Sequence, residues 1–213
     1  MARYRRSNPL ALAVLAQLWE RPQHPYEVAT TLRERHKDTS VKLNYGSLYT
    51  VVDSLEQHGF IEALEARREG GRPERTVYGL TEDGREELYS WLRDLIGQPV
   101  KEYPRFEAGV SLIGIIEPDE VVVLLRRRAE LLRQEIDALG GTTEMLMEMG
   151  LPALSWIELS YRTAITRAEL EWVEQLVTAI ENDAIDGIEQ WREWHSGDAP
   201  PGSIVSEKFS KKK

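Results

Sequence analysis

At 213 residues the chain is long enough for one large domain or two small ones, and 41% hydrophobic with 30% charged residues is the balance of a soluble globular protein. The absence of cysteine excludes a disulfide framework and a thiolate metal site and suits a reducing cytoplasm, and no stretch approaches the roughly 18 apolar residues of a membrane span. The net charge of −9 argues against a nucleic-acid partner until it is divided: residues 1–96 carry 14 Lys/Arg against 15 Asp/Glu, residues 97–213 carry 13 against 21, so the acidity belongs to the second part.

Ser7-Asn8-Pro9 is a helix start, a capping residue followed by proline in the first turn. The run LALAVLAQLW behind it is almost wholly apolar and predicts a central, buried helix that closes at Arg21-Pro22. The apolar run after Met1 is broken by Gln17 and Glu20 with no small-residue cleavage site beyond, which argues against a signal peptide. Pro25 opens a second helix, PYEVATTLRERH, with an apolar side of Tyr26, Val28, Ala29 and Leu32. A polar connection leads to Asn44, the N-cap of a third helix in which Leu48, Val51, Val52 and Leu55 repeat at i, i+3, i+4, i+7. Gly59 follows as the residue that ends it in a left-handed conformation.

Residues 61–69 alternate as a strand with Ile61, Ala63 and Leu64 expected inward, Gly70-Gly71 is a turn, and RTVYGL is the returning strand. Thr81 caps a further helix, with Glu82 and Asp83 favourable in its first turn. The order helix, helix, helix, hairpin, helix is that of a winged helix-turn-helix, so the fold class expected is mainly α with one small β-hairpin: a winged helix-turn-helix domain over 1–96, followed by a long-helix dimerisation domain. Residues 97–116, with Pro99, Pro104, Gly109 and Gly114, are read as a linker that partly packs on its neighbours. Pro118 starts a long helix with Leu125, Ala129, Leu132, Ile136 and Leu139 spaced as a heptad seam, which Gly140-Gly141 breaks or weakens. A last long helix from about Ala153 keeps Ile157, Tyr161, Ala164, Ala168, Trp172, Leu176 and Ile180 to one side. Two such helices cannot bury all of this alone, which predicts antiparallel packing and a partner chain over 117–195, and residues 196–213 read as disordered.

The third helix turns an unusual face outward. At about 100° per residue, Ser47, Thr50, Ser54 and Gln57 lie opposite the apolar stripe, short donors and acceptors that can touch base edges or phosphates without bulk. Gly46 lies in the first turn, where bare backbone would let a phosphate reach the N–H groups, and the hydroxyls of Tyr45 and Tyr49 suit phosphates. Lys42 precedes the helix, and Arg67, Arg68, Arg72 and Arg75 line the hairpin as counter-charge to a nucleic-acid backbone. Asp53 and Glu56 are discordant and must sit off a groove floor. A solvated helix face and a merely soluble hairpin are the plain alternatives for each residue taken singly.

These stretches, NYGSLYTVVDSLEQHGFI, RREGGRPERTVYGLTEDGREEL and LALAVLAQLWERPQHPYEVATTL, resemble the PadR family of transcriptional regulators in its longer type. The resemblance covers residues 9–96 and is looser in AELEWVEQLVTAIE. It implies a homodimeric repressor of double-stranded DNA with a pseudo-palindromic operator, often released by a small molecule such as a phenolic acid or a drug. By position, Ser47, Leu48 and Tyr49 match the family's recognition helix and Gly71, Arg72 and Arg75 its wing; Tyr45 departs from it, since many members have proline there. The alternative function is a winged-helix protein-docking module or adaptor without sequence-specific DNA binding. Enzyme chemistry finds little support: His24, His36, His58 and His195 have no metal spacing, there is no phosphate loop or nucleophile elbow, and no cofactor is expected. Among the six tryptophans, Trp19, Trp91 and Trp172 are candidates to hold a planar effector, with core packing the commoner role for such residues.

Overall fold

A computed structural model of the chain describes residues 4, 6, 8–67 and 75–197, with the side chains of residues 65–67 and 75 excepted. The Gly70-Gly71 turn, Arg68, Arg72 and the tail from 198 onward lie outside the described residues. The chain divides into two compact units, Met1–Glu102 and Tyr103–Lys213. No described helix is long and apolar enough to cross a membrane.

In the first unit α1 runs Pro9–Glu20, with the Asn8 side chain accepting from the Leu10 N–H and Pro9 at the first position. Its Leu10, Ala11, Val14, Leu15 and Leu18 are buried at the centre of the first core, as the apolar run predicts. Gln23 follows, a glutamine with almost no exposure. Its backbone exchanges two hydrogen bonds with Tyr78, and its Nε2 donates to the Gln17 carbonyl at 2.9 Å, so a polar residue is spent on tying the helical hairpin to the wing. α2, Pro25–Glu34, starts in a reciprocal cap: His24 Nδ1 accepts from the Tyr26 N–H and the Glu27 carboxylate accepts from the His24 N–H. α3 is Tyr45–Gln57, capped by Asn44, and Gly59 ends it at φ +75°.

Strands β1, Ile61–Arg67, and β2, Arg75–Leu80, pair antiparallel from Ile61↔Leu80 to Arg67↔Arg75. The expected inward row holds only at Ile61. The register slips between Ala63 and Glu65, so Ala63 is exposed and Leu64 bulges out of the ladder. Leu64 is accommodated by Gly79, where an added Cβ would meet its Cδ1 at 2.7 Å. α4 is Glu82–Gly97, capped by Thr81, with Leu88 and Trp91 in the core.

The second unit contains α5, Arg105–Val110, then α6, Pro118–Glu148, α7, Ile157–Glu181, and α8, Ile188–Ser196. Part of the segment read as a linker is therefore helical, and Phe106, Ile113 and Ile116 pack on the second core. α6 passes through Gly140-Gly141 unbroken. Its ion pairs with α7, Arg126 with Glu181, Arg133 with Glu174 at 2.6 Å and Glu135 with Arg162 at 2.7 Å, fall in number on one helix as they rise on the other, which is an antiparallel hairpin. The last helix does not run on to 195. Asp183 and Gly187, both at positive φ, turn the chain, and α8 folds back so that the Trp191 Nε1 donates to the Ile116 carbonyl at 2.9 Å.

Candidate nucleic-acid interface

The interface is built on α3 because one side of that helix is fully committed. Leu48, Val51, Val52 and Leu55 are buried against α1 and α2, which leaves the other side to solvent. Gly46, Ser47, Tyr49, Thr50 and Gln57 are exposed and Ser54 half-buried. Among the described residues the hydroxyls of Ser47 and Ser54 have no hydrogen-bond partner, and Thr50 turns its proton back to the Gly46 carbonyl at 3.1 Å, which leaves its oxygen as an acceptor.

Two expectations need correcting at the entrance of the helix. The Gly46 N–H is not free for a phosphate: it donates to Asn44 Oδ1 at 2.9 Å, so Asn44 acts as a cap. The Tyr45 hydroxyl is not free either. It accepts from Arg33 Nη1 at 2.5 Å, and the Arg33 guanidinium lies 4.5 Å from the Tyr45 ring centre. The Tyr26 ring stacks on that of Tyr45, the centres 6.1 Å apart and the planes nearly parallel. Sequence reasoning missed Arg33 and Tyr26. The available signal was their spacing of seven, two helical turns, which puts both on one side of α2. Lys42 is exposed just before α3 and Tyr49 is 46% exposed one turn in.

The other end of α3 has the opposite sign. A cleft of about 900 Å³ between the end of α3 and α4 is walled by Glu56, Asp83, Glu86 and Glu87, with Arg6 turned onto Glu87 and Asp94. The Tyr78 hydroxyl is pushed above its usual range by burial first and then by the nearby charges of Glu56 and Asp53. Both discordant carboxylates thus bear on a hydroxyl of β2. Charge along α3 is polarised, basic and aromatic at its start and acidic at its end, which favours entry of the helix into a nucleic-acid groove by its N-terminus. Of the wing arginines, Arg67 and Arg75 are paired across the two strands; Arg68 and Arg72 lie outside the described residues.

The seam expected to join two chains is largely filled from within one. Leu125, Ala129 and Leu132 are buried against Val173, Val177 and Ile180, with Leu176 half-buried on the same core; Leu139 is buried and Ile136 half-buried. The helical hairpin uses its heptad positions for itself. What it leaves open is another row on α7: Ile157 at 61% exposure, Tyr161 at 71%, exposed Ala164 and Ala168, and Trp172 at 42%. The tryptophans expected to hold an effector differ in their surroundings. Trp91, at 2% exposure, is core and leaves no face for a ligand; Trp19 is exposed and donates to the Tyr89 hydroxyl at 2.9 Å; Trp172, in the second unit, meets Phe106 edge-on. No group of three or more candidate metal ligands occurs among the described residues.

Residues 14–90, which hold most of α1 and all of the wing, match the model of the transcriptional regulator PadR-like family. The negative transcriptional regulator PadR of Bacillus subtilis is 24% identical over 148 residues, 65% of this chain and 80% of its own length. A crystal structure of Bacillus subtilis PadR in complex with operator DNA superposes with a TM-score of 0.66 at 21% identity, covering 84% of this chain and 99% of that one. The same protein in complex with p-coumaric acid gives 0.64 at 21% identity over 81% and 98%.

Proposed function

We propose that the chain, whose residues 14–90 match the PadR-like family of transcriptional regulators, a family of DNA-binding regulators and not of enzymes, is a homodimeric, sequence-specific repressor whose grip on DNA a small aromatic molecule releases. The observation that carries this reading is the outward row Ser47, Thr50 and Ser54 on a helix whose opposite side is locked into the core. Two unsatisfied hydroxyls and one acceptor oxygen on a rigid helix can hydrogen-bond base edges in the major groove. Lys42, exposed just before α3, then supplies charge toward the nucleic-acid backbone.

Two-fold pairing through the exposed row of α7 presents two such helices to half-sites about one helical turn apart. An effector acts by binding one geometry of that pair better than the other. The Bacillus subtilis relative binds p-coumaric acid, which makes phenolic acids the first compounds to try. Hydroxyl-radical footprinting on the DNA upstream of the protein's own gene tests the proposal. Two protected patches centred about 10 base pairs apart, lost on adding the effector, are expected. A single patch would exclude the dimeric reader, and protection without sequence preference would exclude base reading by α3.

A further inference from the structure

We propose that Arg33 is a phosphate-binding residue of this regulator, and that Tyr45, backed by Tyr26, is the positioning residue that aims it at the DNA backbone beside the start of α3. The inference rests on the reading of α3 as the DNA-contacting helix. Its own support is the way Arg33 is held, by the ring and the hydroxyl of one tyrosine together. Arg6, Arg21, Arg35 and Arg85 each face a carboxylate, and Arg93 stands 6.0 Å from the centre of the Tyr89 ring with no hydrogen bond to its hydroxyl among the described residues. Arg33, exposed at the end of α2, faces no carboxylate among the described residues; its partners are the ring and the hydroxyl of Tyr45. A carboxylate both orients and neutralises an arginine. A tyrosine orients it and leaves the charge undiminished.

Of the neighbouring acids, Glu27 caps the His24 N–H, and Glu34 makes no ion pair with Arg33 among the described residues. One guanidinium N–H is used on the Tyr45 hydroxyl, and the planar fork keeps further N–H groups for a phosphate. Position completes the case. Tyr45 is the first residue of α3 and Ser47 follows within the same turn, so the restrained cation stands beside the end of the helix that enters the groove. Arg33 lies outside the α3 and wing stretches to which sequence reasoning looked for contacts, and its role depends on a tertiary contact between two helices.

The test is fluorescence anisotropy of the full-length dimer on the duplex that the wild type protects, over a salt series, with circular dichroism melts to confirm folding. Arg33→Ala is expected to weaken binding about tenfold and to lower the slope of log K against log salt by about one for each Arg33 engaged. Arg33→Lys is expected to keep the slope and lose part of the affinity. Tyr45→Leu leaves the charge but frees it, and is expected to weaken binding several-fold with the slope retained. Tyr45→Phe keeps the ring under the guanidinium and is expected to bind close to wild type. An Arg33→Ala slope equal to wild type overturns the phosphate role. A Tyr45→Phe loss as large as that of Arg33→Ala shows the hydroxyl itself contacting DNA and overturns the positioning role. Wild-type protein that binds no duplex at low salt removes the DNA reading, and this inference with it.

Discussion

Ser47 and Thr50 differ from the residues around them in having little to do within the fold. Ser47→Ala or Thr50→Ala should leave the unfolding free energy within about 0.5 kcal/mol of wild type and narrow the gap between operator and mismatched duplex by ~1–3 kcal/mol, read by competition binding. The carboxylates on the same helix act in reverse. Glu56→Gln removes a negative charge from the acidic end of α3 and should raise affinity for all duplexes alike, a few-fold at low salt and less at high salt; unchanged affinity would mean that this end stays clear of the backbone. A third residue reports on stability. Glu20 accepts two hydrogen bonds from Arg35, one at 2.8 Å, and this bonding is the first cause that holds its pKa below the ordinary value of 4.5. A depressed folded-state pKa contributes stability above the ordinary value, lost as pH falls through the depressed one. The pair is exposed, so Glu20→Gln should cost only ~0.2–1 kcal/mol at neutral pH, and the difference in melting temperature should shrink as pH falls below 4.5 and vanish once it has passed the depressed value. At this scale the hydroxyl row could be read from helical periodicity alone. The occupancy of Tyr45 and Gly46 could not, because it depends on where Arg33 and Asn44 point.

Elements make sense of the sequence pattern around the wing. Thr81 accepts from the Gly84 N–H at 3.0 Å to cap α4 and donates to the Gly59 carbonyl at 2.7 Å, so one hydroxyl joins the end of α3 to the start of α4. Gly84 is required by proximity: an added Cβ would sit 1.9 Å from the Phe60 carbonyl oxygen, a backbone atom that cannot swing away. Gly84→Ala should therefore destabilise the first unit by roughly 1–3 kcal/mol, measured by urea denaturation, and should weaken DNA binding by displacing the wing; a variant as stable as wild type would show that the helix start can shift freely. The Thr-x-x-Gly end of the wing is thus a packing device, and its helix cap was legible in sequence while its carbonyl contact was not. Strand boundaries were also legible from alternation and turns. The bulge at Leu64 was not, since a one-residue slip leaves composition unchanged and reverses which side chains face inward.

The whole molecule pairs a nearly neutral first unit with an acidic helical second one, and along α7 the second presents an apolar row to solvent. Heptad spacing correctly marked α6 and α7 as mutually packing helices, but periodicity cannot say whether a seam is filled by the same chain or by another. The row Ile157, Tyr161 and Trp172 on α7 is the candidate for the second chain. Ile157→Glu combined with Tyr161→Glu should convert a dimer to a folded monomer in sedimentation velocity, with helicity retained and operator affinity reduced on the order of 100-fold, because two linked half-site contacts become independent; a variant that stays dimeric would move the interface elsewhere. The central claim, that α3 reads DNA sequence, is tested most directly by fluorescence anisotropy of the intact protein on the intergenic DNA upstream of its own gene. A scrambled duplex of the same composition is the control, across a salt series. The account predicts tight binding to the first duplex only, with log affinity falling linearly in log salt. Equal and feeble binding to both would contradict it.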